Sequence, residues 1–102
     1  GGQKQRISLA RALIKSPDIL IMDDATNQMD AETEHKFWSM FLKCFTHTMV
    51  IFVTHRTSTI ERSDEIIVMD SGRIVERGDH KDLISKDSLY KKIYTKYKLE
   101  NK

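Results

Sequence analysis

Two short apolar runs in this chain end in groups capable of acid, base or metal chemistry. Ile19-Leu20-Ile21-Met22 leads directly into Asp23-Asp24, and Met49-Val50-Ile51-Phe52-Val53 leads into Thr54-His55-Arg56. Continuous apolar runs of this length suit strands buried on both faces of a parallel sheet, where alternation would mark a half-exposed strand. In open α/β sheets ligands sit outside the carboxyl ends of the strands, so two carboxylates and an imidazole can converge on one crevice. The acid pair has two readings of equal weight: a ligand-binding or proton-transfer pair, or a cap on the following turn. Gly1-Gly2, just ahead of a helical pattern, offer backbone N–H groups and the positive end of a helix dipole to a phosphate. An ordinary glycine turn accounts for them as well. His35 and His47 fall on a helix surface and in a loop, and His80 beside a helix start. With the histidines scattered and Cys44 the only cysteine, neither a metal site nor an intrachain disulfide is expected.

These groups need elements to hold them. Ile7, Ala10, Leu13 and Ile14 recur at helical spacing over residues 3–15, and Ser16-Pro17 stops that helix. After the first strand, Asp30 is placed to cap a helix whose Phe37, Trp38, Phe41, Leu42 and Phe45 form a wide stripe directed at a core. A short helix over residues 58–62 follows the second strand. Residues 65–70 and 73–77 flank Ser71-Gly72 and read as a β-hairpin that Gly78 ends. Asp79 with Asp82 resembles a capping box, and Leu89, Tyr90, Ile93, Tyr94 and Tyr97 mark a last amphipathic helix. Residues 98–102 are expected to form a frayed tail. The order is that of an α/β fold with parallel core strands, a C-terminal β-hairpin and C-terminal helices.

Composition narrows the classes. In 102 residues, 17 Lys and Arg face 15 Asp and Glu, a formal charge of +2 that excludes a strong polyelectrolyte binder. Hydrophobic residues at 39% and charged residues at 31% describe a globular chain whose core is thin for an independent fold. No apolar run approaches the roughly 18 residues of a membrane helix. A single cysteine suits a reducing compartment. The opening on Gly1-Gly2-Gln3, without an initiator Met or a signal segment, reads as that of a fragment.

Taken in order, Gly1-Gly2-Gln3-Lys4-Gln5-Arg6, Ile19-Leu20-Ile21-Met22-Asp23-Asp24-Ala25-Thr26, Met29-Asp30 and Thr54-His55-Arg56 resemble the second half of an ATP-binding cassette (ABC) ATPase domain. The opening resembles the end of the family's signature motif, the run with Asp23 its Walker B, Asn27-Gln28-Met29-Asp30 its D-loop, and His55 its switch histidine. Residues 70–80 resemble the stretch that follows in exporter-type members. The resemblance implies a partial P-loop NTPase fold over residues 1–97, with ATP and magnesium as ligands. It implies that Asp23 serves magnesium, Asp24 the attacking water and His55 the γ-phosphate. Gly1, Gly2 and Gln3 would close over ATP held by a second nucleotide-binding domain in a head-to-tail dimer, with Asp30 at the dimer contact. The other implied partner is a transmembrane domain, which puts the chain at the cytoplasmic face of a membrane. No nucleic-acid partner is expected.

The sequence departs from the family pattern in two places. Asp24 stands where the family usually has a catalytic Glu, and Asn27-Gln28-Met29 replaces the more usual Ser-Ala-Leu. The glycines Gly1, Gly2, Gly72 and Gly78 give no G-x-x-x-x-G-K-[ST] spacing, so this stretch by itself is expected not to hydrolyse ATP. A non-catalytic cassette half, associating in a nucleotide-dependent way, is the competing reading. A soluble cassette ATPase acting on DNA or ribosomes is a third, against which residues 54–80 argue.

Overall fold

Leu20 and Met22 are buried while Ile19, Ile21 and Asp23 are exposed, and that alternation decides how the first strand is used. The structure, a computed structural model, describes residues 4, 7, 10, 11, 13–15, 17–24 and 29–100. It divides into two units, Gly1–Val53 and Thr54–Lys102. In the first unit, β1 (Ile19–Asp23) pairs in parallel with β2 (Met49–Val53), with Leu20 opposite Val50 and Met22 opposite Phe52. Helix α1 (Ala31–Cys44) lies between them in sequence. The core gathers Leu20, Met22, Met29, Trp38 and Phe41, with Leu13, Phe37, Phe45, Val50 and Phe52 packed around it. Trp38 meets Phe41 edge-on at 5.6 Å between ring centroids and Phe52 at 5.4 Å, so the helix stripe and the strand face share one aromatic layer.

Two expectations change here. Within the described residues both strands are covered on one face rather than two, since Ile19, Ile21, Met49, Ile51 and Val53 are exposed. Among the described residues no layer covers that apolar face. Leu42 also departs from its stripe and is 60% exposed, because Trp38 and Phe41, each 3% exposed, already fill the side of α1 facing the sheet. The helix expected over residues 3–15 lies only partly within the described residues. There, 4, 7, 10, 11 and 13 are helical, and the Ile14 N–H donates to the Ala10 carbonyl at 3.0 Å.

The N-cap of α1 forms as its sequence suggests. The Thr33 N–H donates to Asp30 Oδ1 at 2.7 Å, and Glu32 and Glu34 in the first turn suit the helix dipole. Asp30→Ala is expected to lower unfolding free energy by about 1 kcal/mol, whereas Asp30→Ser holds close to wild type, as read by chemical denaturation.

In the second unit, α2 (Thr57–Glu61) precedes an antiparallel hairpin of β3 (Ile66–Asp70) and β4 (Arg73–Gly78). Ser71 and Gly72 both take positive φ, 52° and 77°, the geometry of a two-residue hairpin turn whose twist matches the strands. Val68 faces Glu76 and Met69 faces Ile74, so Val75 is an inserted bulge residue. Two helices follow. The first, α3 (His80–Ile84), is capped by Asp79, whose side chain accepts from the Asp82 N–H at 2.7 Å, and the second is α4 (Leu89–Glu100). The last helix thus extends three residues into the segment expected to be a tail. Val68, Leu83 and Tyr90 form the second core, lined by Ile60, Ile66, Ile84, Ile93 and Tyr94. No helix among the described residues is long and apolar enough to cross a membrane.

Candidate functional site

The parallel register brings the carboxyl ends of β1 and β2 level, with Asp23 opposite Val53. Asp23 occupies the exposed strand face and presents hard oxygen donors to solvent. Among the described residues no three of His, Cys, Asp or Glu gather around a metal position. An exposed carboxylate at a strand end fits a cation that takes few protein ligands and keeps its waters, as magnesium does, rather than a multi-ligand cage.

Asp24 continues the ladder one step further, its N–H donating to the Val53 carbonyl at 2.8 Å. Its backbone is left-handed, with φ of 57°. Aspartate tolerates that conformation better than most residues, since its short side chain can bond locally. The strand therefore ends in two carboxylates held differently, one extended and exposed, the next half-buried on a turned backbone. Gly1, Gly2 and Gln3 lie outside the described residues, as do Asn27 and Gln28 of the segment before Asp30.

His55 belongs to the second unit, two residues beyond the end of β2. The Arg56 N–H donates to Thr54 Oγ1 at 3.0 Å, which shapes the turn around His55, and Thr57 and Thr59 in the following helix α2 are buried. The imidazole is exposed, and its ring meets that of Tyr97 at 5.8 Å between centroids with planes 61° apart.

Three features of the second unit are not evident from sequence pattern. His80 Nδ1 and the Tyr90 hydroxyl share a hydrogen bond of 2.7 Å, which gives that histidine a structural partner. Glu76, just past the bulge, accepts from the Leu89 and Tyr90 N–H groups at 3.0 and 2.7 Å and so caps α4 from a neighbouring strand. Tyr94 donates its hydroxyl hydrogen bond to Glu61, which also lies 3.8 Å from Lys98 Nζ. A pattern of i, i+3 and i+4 aromatics signals a packed helix face but not these hydroxyl partners.

The tyrosines titrate accordingly. Burial pushes the Tyr90 phenol up to about 12, with the neighbouring Tyr94 and Glu61 adding to it. The hydrogen bond to Glu61 raises Tyr94, also to about 12, with desolvation second. Both groups favour the neutral phenol in the folded state, so they stabilise fully below the ordinary tyrosine value near 10 and lose that contribution as pH climbs towards about 12. A tyrosinate absorbance titration is expected to show a step near 12 that shrinks in Tyr90→Phe and in Tyr94→Phe.

Glu34 is a further surprise, 2% exposed in the first turn of α1 although ionisable residues are rarely buried.

Comparison with known proteins gives this geometry a context. Residues 1–27 match the profile of the family described as ABC transporter. The chain is 50% identical over 97 residues to the chloroplastic ABC transporter B family member 26 of Arabidopsis thaliana, covering 91% of this chain and 14% of that protein. It is 48% identical to the alpha-hemolysin translocation ATP-binding protein of Escherichia coli, over 92% of this chain and 13% of that one. It is 42% identical to the ATM1-type heavy metal exporter of Novosphingobium aromaticivorans, over 99% of this chain and 17% of that one. Among solved structures, a bacterial Atm1-family ABC exporter with ATP bound superposes with a TM-score of 0.89 at 43% identity, over 94% of this chain and 17% of that one. The chain thus spans less than a fifth of the length of these relatives. Its α/β arrangement of parallel strands, hairpin and C-terminal helices is part of the P-loop NTPase fold of ABC ATPases. The chain belongs to the ABC transporter family, as part of an exporter-type nucleotide-binding domain.

Proposed function

We propose that the chain supplies part of the ATP-binding and ATP-hydrolysing machinery that powers an exporter. The observation that carries this reading is the level pair of strand ends, Asp23 opposite Val53, with Asp24 held to Val53 on a left-handed backbone immediately after. Asp23 holds magnesium through its water shell. When bound, the ion neutralises charge on the β- and γ-phosphates. Asp24 orients the attacking water, and His55 donates a hydrogen bond to the γ-phosphate. Gly1, Gly2 and Gln3 present N–H groups to a nucleotide carried by a second nucleotide-binding domain, and Asp30 adds a D-loop contact to its capping role. ATP binding closes the two domains head to tail, and hydrolysis reopens them. An associated transmembrane domain, at the cytoplasmic face of a membrane, converts that cycle into export.

The reading is tested by the magnesium dependence of phosphate release from the full-length protein. Asp23→Asn is expected to raise the magnesium concentration for half-maximal rate by about 10- to 100-fold, the usual cost of losing a ligand-orienting carboxylate. An unchanged requirement would remove Asp23 from the site.

The non-catalytic reading draws on Asp24, which is one methylene shorter than the glutamate usual in the family. It predicts nucleotide-dependent association of two domains without phosphate release.

A further inference from the structure

We infer that Tyr97 is a positioning residue for His55, fixing the plane of the imidazole from the C-terminal helix. The inference rests on the reading of His55 as the γ-phosphate donor. The two rings sit 5.8 Å apart at 61°, within the range where aromatic pairs prefer an edge-to-face arrangement. That contact narrows the rotamers open to an exposed imidazole on a loop. A donor that must meet one phosphate oxygen at hydrogen-bond distance loses efficiency when its ring is free to turn.

The elements carrying the two rings are clamped together independently of that contact. Glu61 closes α2, the short helix that begins two residues after His55. The Tyr94 hydroxyl donates to Glu61, and Lys98 Nζ lies 3.8 Å from the same carboxylate. Tyr94 and Lys98 flank Tyr97 on α4, three residues before it and one after. Lys98 Nζ also stands 6.0 Å from the centre of the Tyr94 ring. Further back, Tyr90 stacks on Tyr94 with centroids 5.8 Å apart, His80 bonds the Tyr90 hydroxyl, and Glu76 caps the helix start. Rotation of α4 about its axis is therefore restrained at three points, and the face bearing Tyr97 stays turned to His55.

The test uses steady-state phosphate release by the full-length protein. Tyr97→Leu keeps an apolar side chain but has no ring edge, and Tyr97→Phe keeps the ring. Tyr97→Leu is expected to lower kcat about five- to tenfold, the scale of one aromatic pair, and to leave KM for ATP within about twofold. Tyr97→Phe is expected to restore kcat. In a His55→Ala background, Tyr97→Leu is expected to have no further effect. Three results overturn the inference: unchanged kcat in Tyr97→Leu while His55→Ala lowers it, a loss that Phe does not rescue, or the same fold-loss with and without His55. If His55→Ala itself leaves kcat unchanged, the reading of His55 fails instead, and the inference falls with it.

Discussion

Asp24→Glu in the full-length protein is expected to raise ATP turnover, by as much as about 10²-fold, with little change in nucleotide affinity. A group that accepts or steers a proton has to reach within about 2.6–3.2 Å of it, directly or through one water. The backbone of Asp24 is tied to the strand end by its N–H bond to the Val53 carbonyl, and an advance to make up for a short side chain would cost that bond. Aspartate falls short of glutamate by one methylene, and about 1 Å of misplacement is worth roughly 10²-fold in rate. The substitution carries a local cost. At φ of 57° a glutamate is less at ease than an aspartate, and a penalty of about 1 kcal/mol on stability is expected. Turnover should therefore rise while thermal stability falls slightly. A lower turnover in the Glu variant would mean that the turned backbone already places the aspartate correctly.

His55→Ala is expected to cut phosphate release by about 10²- to 10³-fold while ATP still binds, the usual consequence of removing one preorganised donor to developing charge. The donor differs from Asp24 in how it is held. Its loop is shaped by the Arg56 N–H bond to Thr54 Oγ1 and leads into a helix whose Thr57 and Thr59 are buried, so truncating the exposed ring leaves these features in place. Paired measurements of nucleotide binding and steady-state hydrolysis separate the two roles. A loss of binding equal to the loss of rate would make His55 a general binding group rather than one that acts as the phosphate is transferred.

Much of this arrangement was legible in the residues because it is local. A Ser-Gly pair between apolar runs specifies a hairpin turn through backbone conformation alone, and the structure places Ser71 and Gly72 in it. Asp30 and Asp79 cap helices through bonds spanning three residues, which sequence spacing encodes directly. The carboxyl ends of the apolar runs were equally readable as the position of Asp23 and of the turn after Val53.

What was not legible depends on partners far away in sequence. Apolar composition cannot tell whether a strand is covered on one side or two, and Ile21 is 71% exposed although nothing in its run distinguishes it from Leu20. Leu42 shares the spacing of its helical stripe, but the width of the sheet face decides which members of the stripe are buried. The bulge at Val75, which precedes the capping carboxylate of Glu76, falls on the adjacent apolar pair Ile74-Val75, which reads equally well as ordinary strand. The approach of Tyr97 to His55 joins a loop to the last helix, a pairing that no periodicity reports. The exposed apolar face of β1 and β2 also has a practical consequence, since contiguous apolar surface favours association and this stretch expressed alone is at risk of aggregation.

The most direct test of the account is phosphate release by the purified full-length protein supplied with ATP and magnesium, followed together with nucleotide-dependent association. The account predicts sustained release over many turnovers that stops when magnesium is chelated. Association driven by ATP with no phosphate released would contradict it, and would make this segment a nucleotide-dependent binding module.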